Sequence, residues 1–184
     1  MFRHTKFQHV VICGILASLL AAAYAEDKHN HAAPAAATNA GLEKMKALAG
    51  TWMMTDESGK PTDQVASVIK VTAAGSAVHE TLFPGQPMEM MSVYTADGPA
   101  LAMTHYCMLG NQPRLKGTLA DDGKEIKFDF VGGGNLDVKK DKHMHGAVLK
   151  LIDADTIQIE GVAWENGEPC KEMCGTMKLV RKKE

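Results

Sequence analysis

The chain has 184 residues and a formal charge of −2 with histidine neutral, from 20 Lys and Arg against 22 Asp and Glu. This near balance, with the basic run Arg181-Lys182-Lys183 confined to the tail, argues against a nucleic-acid partner. Hydrophobic residues make up 45% of the chain, enough for a core, but only 5% of residues are aromatic while 12 are Met. We therefore expect a core filled largely by flexible thioether side chains.

Residues 1–25 have the pattern of an export signal. Basic residues up to Lys6 precede an apolar run from Val10 to Ala23, and Ala23-Tyr24-Ala25 offers a small-residue cleavage site. The apolar run has 14 residues, whereas a membrane-spanning helix needs roughly 20. The sequence therefore predicts a cleaved signal, a periplasmic or secreted protein and no stable membrane anchor.

The remainder of the chain divides into a tether and one domain. Residues 26–40 are rich in Ala, His, Asn and Pro and have no apolar period, which predicts a disordered tether. Residues 41–184 are numerous enough for a single domain with its own core. We expect this domain to open with a short helix from Gly41 to Ala47 and to continue as strands.

Strands are predicted by the alternation of apolar and polar residues. In the clearest case Ile126, Phe128 and Phe130 share one face, while charged residues occupy the other. Turn signals such as Asp97-Gly98 and Asp122-Gly123 separate the strands at short intervals. Closing such a meander removes its exposed edges. The sequence therefore predicts an all-β fold, an antiparallel up-and-down β-barrel of about 8–10 strands with a short N-terminal helix; a β-sandwich is the alternative.

The motif Gly50-x-Trp52, placed between the short helix and the first strand, resembles the opening of the lipocalin and fatty-acid-binding-protein (calycin) families. In those families the tryptophan packs across one end of the barrel, and the resemblance implies that Trp52 does so here. The central segments 103–107 and 110–114 are also similar to exported bacterial domains that carry no assigned activity.

The inward face of such a barrel decides what it can hold. Strand parity places Met103, His105, Phe128 and Phe130 inside, which gives an apolar lining with a few polar points. This lining suits a small hydrophobic molecule. A structural domain whose own side chains fill the barrel is the alternative.

Two polar residues are candidates for contact with that ligand. His105, surrounded by Met and Leu, could ligate a haem iron or orient a polar head group. The interpretation we favour is a core histidine that is hydrogen-bonded to a backbone carbonyl or to a group near Tyr106. Arg114 follows a turn and could pair with a carboxylate at the barrel mouth, as a buried arginine does in fatty-acid-binding proteins. The alternation along its strand, however, places Arg114 on the polar, outward face.

A second set of residues predicts a metal site for copper. His143 and His145 are two apart on a strand and share a face, and Cys170, Cys174 and Met177 add the soft ligands that select Cu(I). In an extended strand Cys170 and Cys174 are about 13 Å apart, too far for one ion or one disulfide unless a bulge or loop intervenes. This set makes a periplasmic copper-handling or haem-handling protein the rival function.

The number of cysteines does not determine which of them form a disulfide. Cys107, Cys170 and Cys174 remain after the signal, so at most one internal disulfide can form, and the sequence does not rank the pairs.

The chain carries no nucleophile motif, phosphate loop or dinucleotide fingerprint, so no catalytic residues are predicted. Gly132-Gly133-Gly134 is expected to begin a long entrance loop rather than a phosphate site.

Overall fold

The computed structural model describes residues 38–183, which form one α-helix and eleven strands. The predicted export signal and the tether up to residue 37 lie outside the described residues. The helix α1 spans Ala40–Ala47. The strands are β1 Gly50–Thr55, β2 Pro61–Thr72, β3 Ala77–Leu82, β4 Met90–Asp97, β5 Ala100–Tyr106, β6 Gln112–Leu119, β7 Glu125–Gly134, β8 His143–Leu151, β9 Thr156–Glu165, β10 Glu168–Pro169 and β11 Gly175–Arg181.

Ten of these strands close into an antiparallel barrel. Strands β1 to β9 pair in sequence order, β9 then pairs with β11, and β11 returns to β1. The two-residue strand β10 pairs with β9 outside the ring. The predicted all-β antiparallel barrel with a short N-terminal helix is confirmed.

Helix α1 covers one end of this barrel. Its N-cap is Asn39, whose side-chain oxygen accepts a 2.8 Å hydrogen bond from the Leu42 amide. The Asn39 amide also donates to the carbonyls of Gly98 and Ala100, at 2.9 and 2.7 Å, which ties the helix to the β4–β5 turn. Asn39 is buried, so Asn39 and Ala40 belong to the folded domain together with Gly41.

Trp52 packs at the same end of the barrel as α1. Its side chain is fully buried, and its indole Nε1 donates a 2.9 Å hydrogen bond to the Leu48 carbonyl just after α1. The Arg181 guanidinium lies 4.5 Å from the centre of the indole ring. Arg181 also donates to the carbonyls of Ala47 and Ala49 and so joins the last strand to the helix end.

The predicted alternation places the core inside the barrel. The buried cluster includes Leu101 and Met103 on β5 and Ile126 and Phe128 on β7, with Leu42 and Met45 of α1 closing it. One expectation was wrong: Gly132 to Gly134 continue β7 and pair with β6 instead of beginning the loop. The β7–β8 connection is consequently shorter, spanning residues 135–142.

Because the strands run up and down, alternate turns meet at opposite ends. The turns at 73–76, 98–99, 120–124 and 152–155 lie at the α1 end, and the turns at 56–60, 83–89, 107–111 and 135–142 lie at the other, which we call the far end. Among residues 38–183, no helix has the length and apolar character needed to cross a membrane.

Candidate functional site

A cavity of about 50 Å³ lies inside the barrel beneath α1. Its walls are mostly apolar, with polar groups from Glu80, Ser92 and Tyr94. The full lining consists of Met45, Leu48, Ile69, Glu80, Leu82, Ser92, Tyr94, Met103, Phe128, Met144, Ala147, Leu149, Ile157 and Ile159. Pockets that bury drug-sized molecules measure roughly 300–1,000 Å³, so this barrel is largely filled by its own side chains.

The polar part of the cavity is centred on Glu80 of β3, which is 4% exposed. The Ser67 hydroxyl on β2 donates to Glu80 Oε1 at 2.6 Å. The Tyr94 hydroxyl on β4 donates to Glu80 Oε2, also at 2.6 Å. All three residues lie on the inward face of adjacent strands, which brings a buried carboxyl group and two donors together.

Burial controls the protonation of this cluster. Loss of water raises the pKa of Glu80 above its ordinary value, while the hydrogen bonds from Ser67 and Tyr94 act in the opposite direction. Burial, followed by the nearby Glu80 charge, raises the pKa of Tyr94 well above its ordinary value. Within residues 38–183 no Lys, Arg or His forms an ion pair with Glu80, so the carboxyl group has donors but no counter-charge.

His105 supports the cavity indirectly. Its Nδ1 lies 2.9 Å from the Ser92 hydroxyl oxygen, directly across from it on the neighbouring strand. Burial lowers the pKa of His105 from 6.5 to about 4, so the ring is neutral at physiological pH. Ser92 lines the cavity but His105 does not, and a cavity of this size has no room for a haem.

The other sequence-predicted ligand residues lie in four different places. Met103 and Phe128 line the cavity. Trp52 is buried at the α1 end and does not line it. Arg114 is exposed on the outer face, and Phe130 lies against His143 and His145 instead of the cavity.

Sequence reasoning missed the carboxyl cluster. The alternation that predicted β7 also runs through Val78, Glu80 and Leu82, and it places Glu80 on the inward face with two apolar neighbours. A charged residue at an inward position was the available signal. Tyr94 and Ser92 follow from the same parity on β4.

The two predicted metal-binding histidines meet near the far end. His143 Nε2 lies 3.0 Å from His145 Nδ1, and His143 Nδ1 lies 2.7 Å from the Asp141 carbonyl oxygen. The His145 ring stacks between Phe130 and Trp164, with ring centres at 4.6 and 3.8 Å. We call these four residues the histidine–aromatic cluster: Phe130, His143, His145 and Trp164.

The chain that carries the predicted sulfur ligands Cys170 and Cys174 is not extended between them. A 3₁₀ turn at Lys171–Met173 separates Cys170 from Cys174, and it brings the Cys174 Sγ within 3.2 Å of the Cys170 carbonyl oxygen. Cys107, Cys170 and Cys174 are free thiols. Met177 packs against the core cluster.

Among the described residues, no three His, Cys, Asp or Glu side chains converge to hold a metal ion. A copper site built from both the histidines and the sulfur residues stays a prediction.

Comparison with known proteins adds no family assignment. No model of a known protein family matches the chain, and a search of curated proteins finds no match.

Proposed function

We propose that the protein is an exported, non-catalytic binding protein that holds one small, mostly apolar molecule inside a lipocalin-like barrel. The observation that carries the proposal is Glu80, a buried carboxyl group in the wall of an apolar cavity. The closed barrel and Trp52 at its covered end agree with the resemblance to the calycin families.

A buried carboxyl group is costly in a domain that serves only as a scaffold. Removing an ionisable group from water destabilises the fold unless hydrogen bonds compensate. A carboxylate offers about four acceptor sites, and the hydroxyls of Ser67 and Tyr94 use two. The remaining acceptor capacity favours a ligand whose polar end is a hydrogen-bond donor, either a hydroxyl or an ammonium group.

The small volume of the cavity is compatible with binding because flexible residues form its walls. Met45, Met103 and Met144 all line it, and an unbranched thioether side chain changes rotamer more readily than a branched one. We expect the ligand to enlarge the cavity by displacing these side chains. The ligand is therefore short and slender.

A direct test uses three six-carbon probes that differ only in their head group: hexanol, hexylamine and hexanoic acid. Each is titrated at neutral pH into protein carrying ¹³C-labelled methionine methyl groups. Shifts at Met45, Met103 and Met144 report binding in the cavity, while the exposed Met88 and Met108 serve as internal controls.

Hexanol and hexylamine are expected to shift the three cavity methyl groups. Hexanoic acid should bind more weakly because a second carboxylate beside Glu80 is unfavourable. The variant Glu80→Gln should weaken hexylamine binding by about tenfold or more, since a hydrogen bond to a charged group is lost. The exposed Glu57→Gln is the matched control. If no probe shifts the cavity methyl groups, the proposal fails and the barrel is a filled structural domain.

A further inference from the structure

A second site lies near the far end of the barrel, in the histidine–aromatic cluster. We propose that His143 Nε2 and His145 Nδ1 together chelate one first-row divalent metal ion of the kind that imidazole prefers, such as Ni²⁺, Cu²⁺ or Zn²⁺. This site is independent of the cavity and its ligand.

His143 is held in the tautomer that a metal ion requires. Its Nδ1 lies 2.7 Å from the Asp141 carbonyl oxygen. A carbonyl only accepts hydrogen bonds, so Nδ1 carries the proton and Nε2 keeps its lone pair. Metal-binding histidines commonly donate their second ring N–H to such a carbonyl, which fixes the ring and strengthens the ligand.

The two nitrogen atoms, His143 Nε2 and His145 Nδ1, are 3.0 Å apart, which suits a single shared ion. Two imidazole nitrogens that each lie about 2.0–2.1 Å from one ion, at an angle between 90° and tetrahedral, are separated by about 2.9–3.4 Å. Without metal, the His145 Nδ1–H donates to His143 Nε2. With metal, the ion replaces this proton, His145 is protonated at Nε2 instead, and both rings remain neutral with no net proton released.

The orientation of the His145 ring is fixed by its neighbours. The ring is stacked at 20° to Phe130 and at 12° to Trp164. His145 also occupies a bulge in β8, where the pairing with β9 shifts between Met144 and Gly146, and bulges re-aim side chains. His145 is half-buried, which leaves it accessible to an ion from solvent.

The two histidines would be the protein's contribution to the coordination shell. No third His, Cys, Asp or Glu joins them in the part of the chain that the structure describes, so water completes the site. Two protein ligands give weaker binding than a closed four-ligand site.

Trp164 supplies a local reporter because its ring lies 3.8 Å from that of His145. Ni²⁺ is the chosen probe, since it quenches tryptophan emission and is not reduced by the thiols of the protein. Full-length wild-type protein is titrated with Ni²⁺ while emission is followed. The chain's other tryptophan, Trp52, lies at the α1 end, so the variant Trp164→Phe should abolish the Ni²⁺-dependent quenching.

The decisive variant is His145→Phe, which keeps an aromatic ring between Phe130 and Trp164 but removes both ring nitrogens. Its apparent Ni²⁺ affinity, measured by quenching, should fall at least tenfold. His143→Gln should give the same loss, and the outward-facing His79→Gln should retain wild-type quenching. Histidines of the N-terminal segment are common to all variants and give the same background.

Circular dichroism checks that each variant is folded. Because His145 is half-buried, its substitution should disturb the fold less than that of His143. Loss of quenching in folded His145→Phe supports the site. Quenching that persists in this variant, or wild-type emission that does not respond to Ni²⁺, overturns the proposal.

Discussion

The Tyr94 hydroxyl donates a 2.6 Å hydrogen bond to Oε2 of Glu80 inside the barrel. Tyr94 and Glu80 lie on adjacent strands, β4 and β3, and both line the cavity. The bond fixes one oxygen of the carboxyl group while leaving acceptor capacity toward the cavity. A polar point of fixed position in an apolar wall can orient a ligand, and this pair is therefore central to the proposed function.

The pKa of Glu80 makes a prediction about stability and pH. A carboxyl group whose pKa is raised by folding stabilises the folded state below its unfolded pKa, and this contribution is lost as the pH rises through the folded pKa. Glu80→Gln cannot ionise, so its free energy of unfolding should fall less than that of the wild type between acidic and alkaline pH. Urea unfolding across this range measures the effect, with Glu57→Gln as the control. Parallel wild-type and Glu80→Gln curves would contradict it.

The lowered pKa of His105 predicts that the free energy of unfolding changes with pH in the opposite direction, at acidic pH. Its pKa is lowered from 6.5 to about 4 in the fold, so the unfolded chain binds a proton before the folded chain does. Stability is complete above pH 6.5 and is lost as the pH falls toward 4, by about 3 kcal/mol in total. Urea unfolding between these pH values should show the loss in wild type and a smaller one in His105→Gln. His79→Gln should retain the wild-type dependence, and a His105→Gln curve with the full loss would refute the assignment.

Gly117 of β6 predicts a packing effect. A Cβ atom there would lie 2.7 Å from Phe128 Cε1 and 3.1 Å from Leu101 Cβ. Gly117→Ala should therefore destabilise the fold by about 1–3 kcal/mol, because the close-packed core must shift. Gly175→Ala is the control, since its Cβ would meet nothing within 4 Å. Thermal unfolding compares them, and equal melting temperatures for the two variants would show that this packing is not limiting.

Substitution of Asn39 tests how much the cap of helix α1 contributes to the stability of the fold. Asn39→Ala removes the cap acceptor and both bonds to the β4–β5 turn, and it should cost about 1–2 kcal/mol or more. Asn39→Asp keeps the acceptor for the Leu42 amide but places a carboxylate against the carbonyls of Gly98 and Ala100. Both variants should melt below wild type by differential scanning calorimetry. An unchanged melting temperature for Asn39→Ala would show that the cap contributes little.

The fold was predictable from local pattern, whereas the candidate site depended on contacts between distant parts of the chain. Alternation along 125–130 predicted which side chains face inward, because a strand has a period of two. The same period could place Glu80 inside, but its two donors come from other strands, so a single segment does not reveal them. The extension of β7 through Gly132 to Gly134 depends on its pairing with β6, which overrides the weak strand preference of glycine.

For the predicted metal ligands, too, the sequence pattern predicted only part of the arrangement. That His143 and His145 approach one another follows partly from their spacing, but their 3.0 Å contact also depends on the bulge in β8. The sequence left open whether a loop brings Cys170 and Cys174 together, because strand alternation describes only an extended chain and does not predict the turn between them.

Whether the barrel holds a ligand can be measured by native mass spectrometry of the full-length gene product, purified without refolding and compared with its denatured mass. We expect an organic adduct that is lost on denaturation. We also expect that Ala147→Leu, a variant that fills the cavity wall and whose folding is checked by circular dichroism, lacks this adduct. Equal native and denatured masses for the wild type, or the same adduct retained by folded Ala147→Leu, would contradict a ligand held in this cavity.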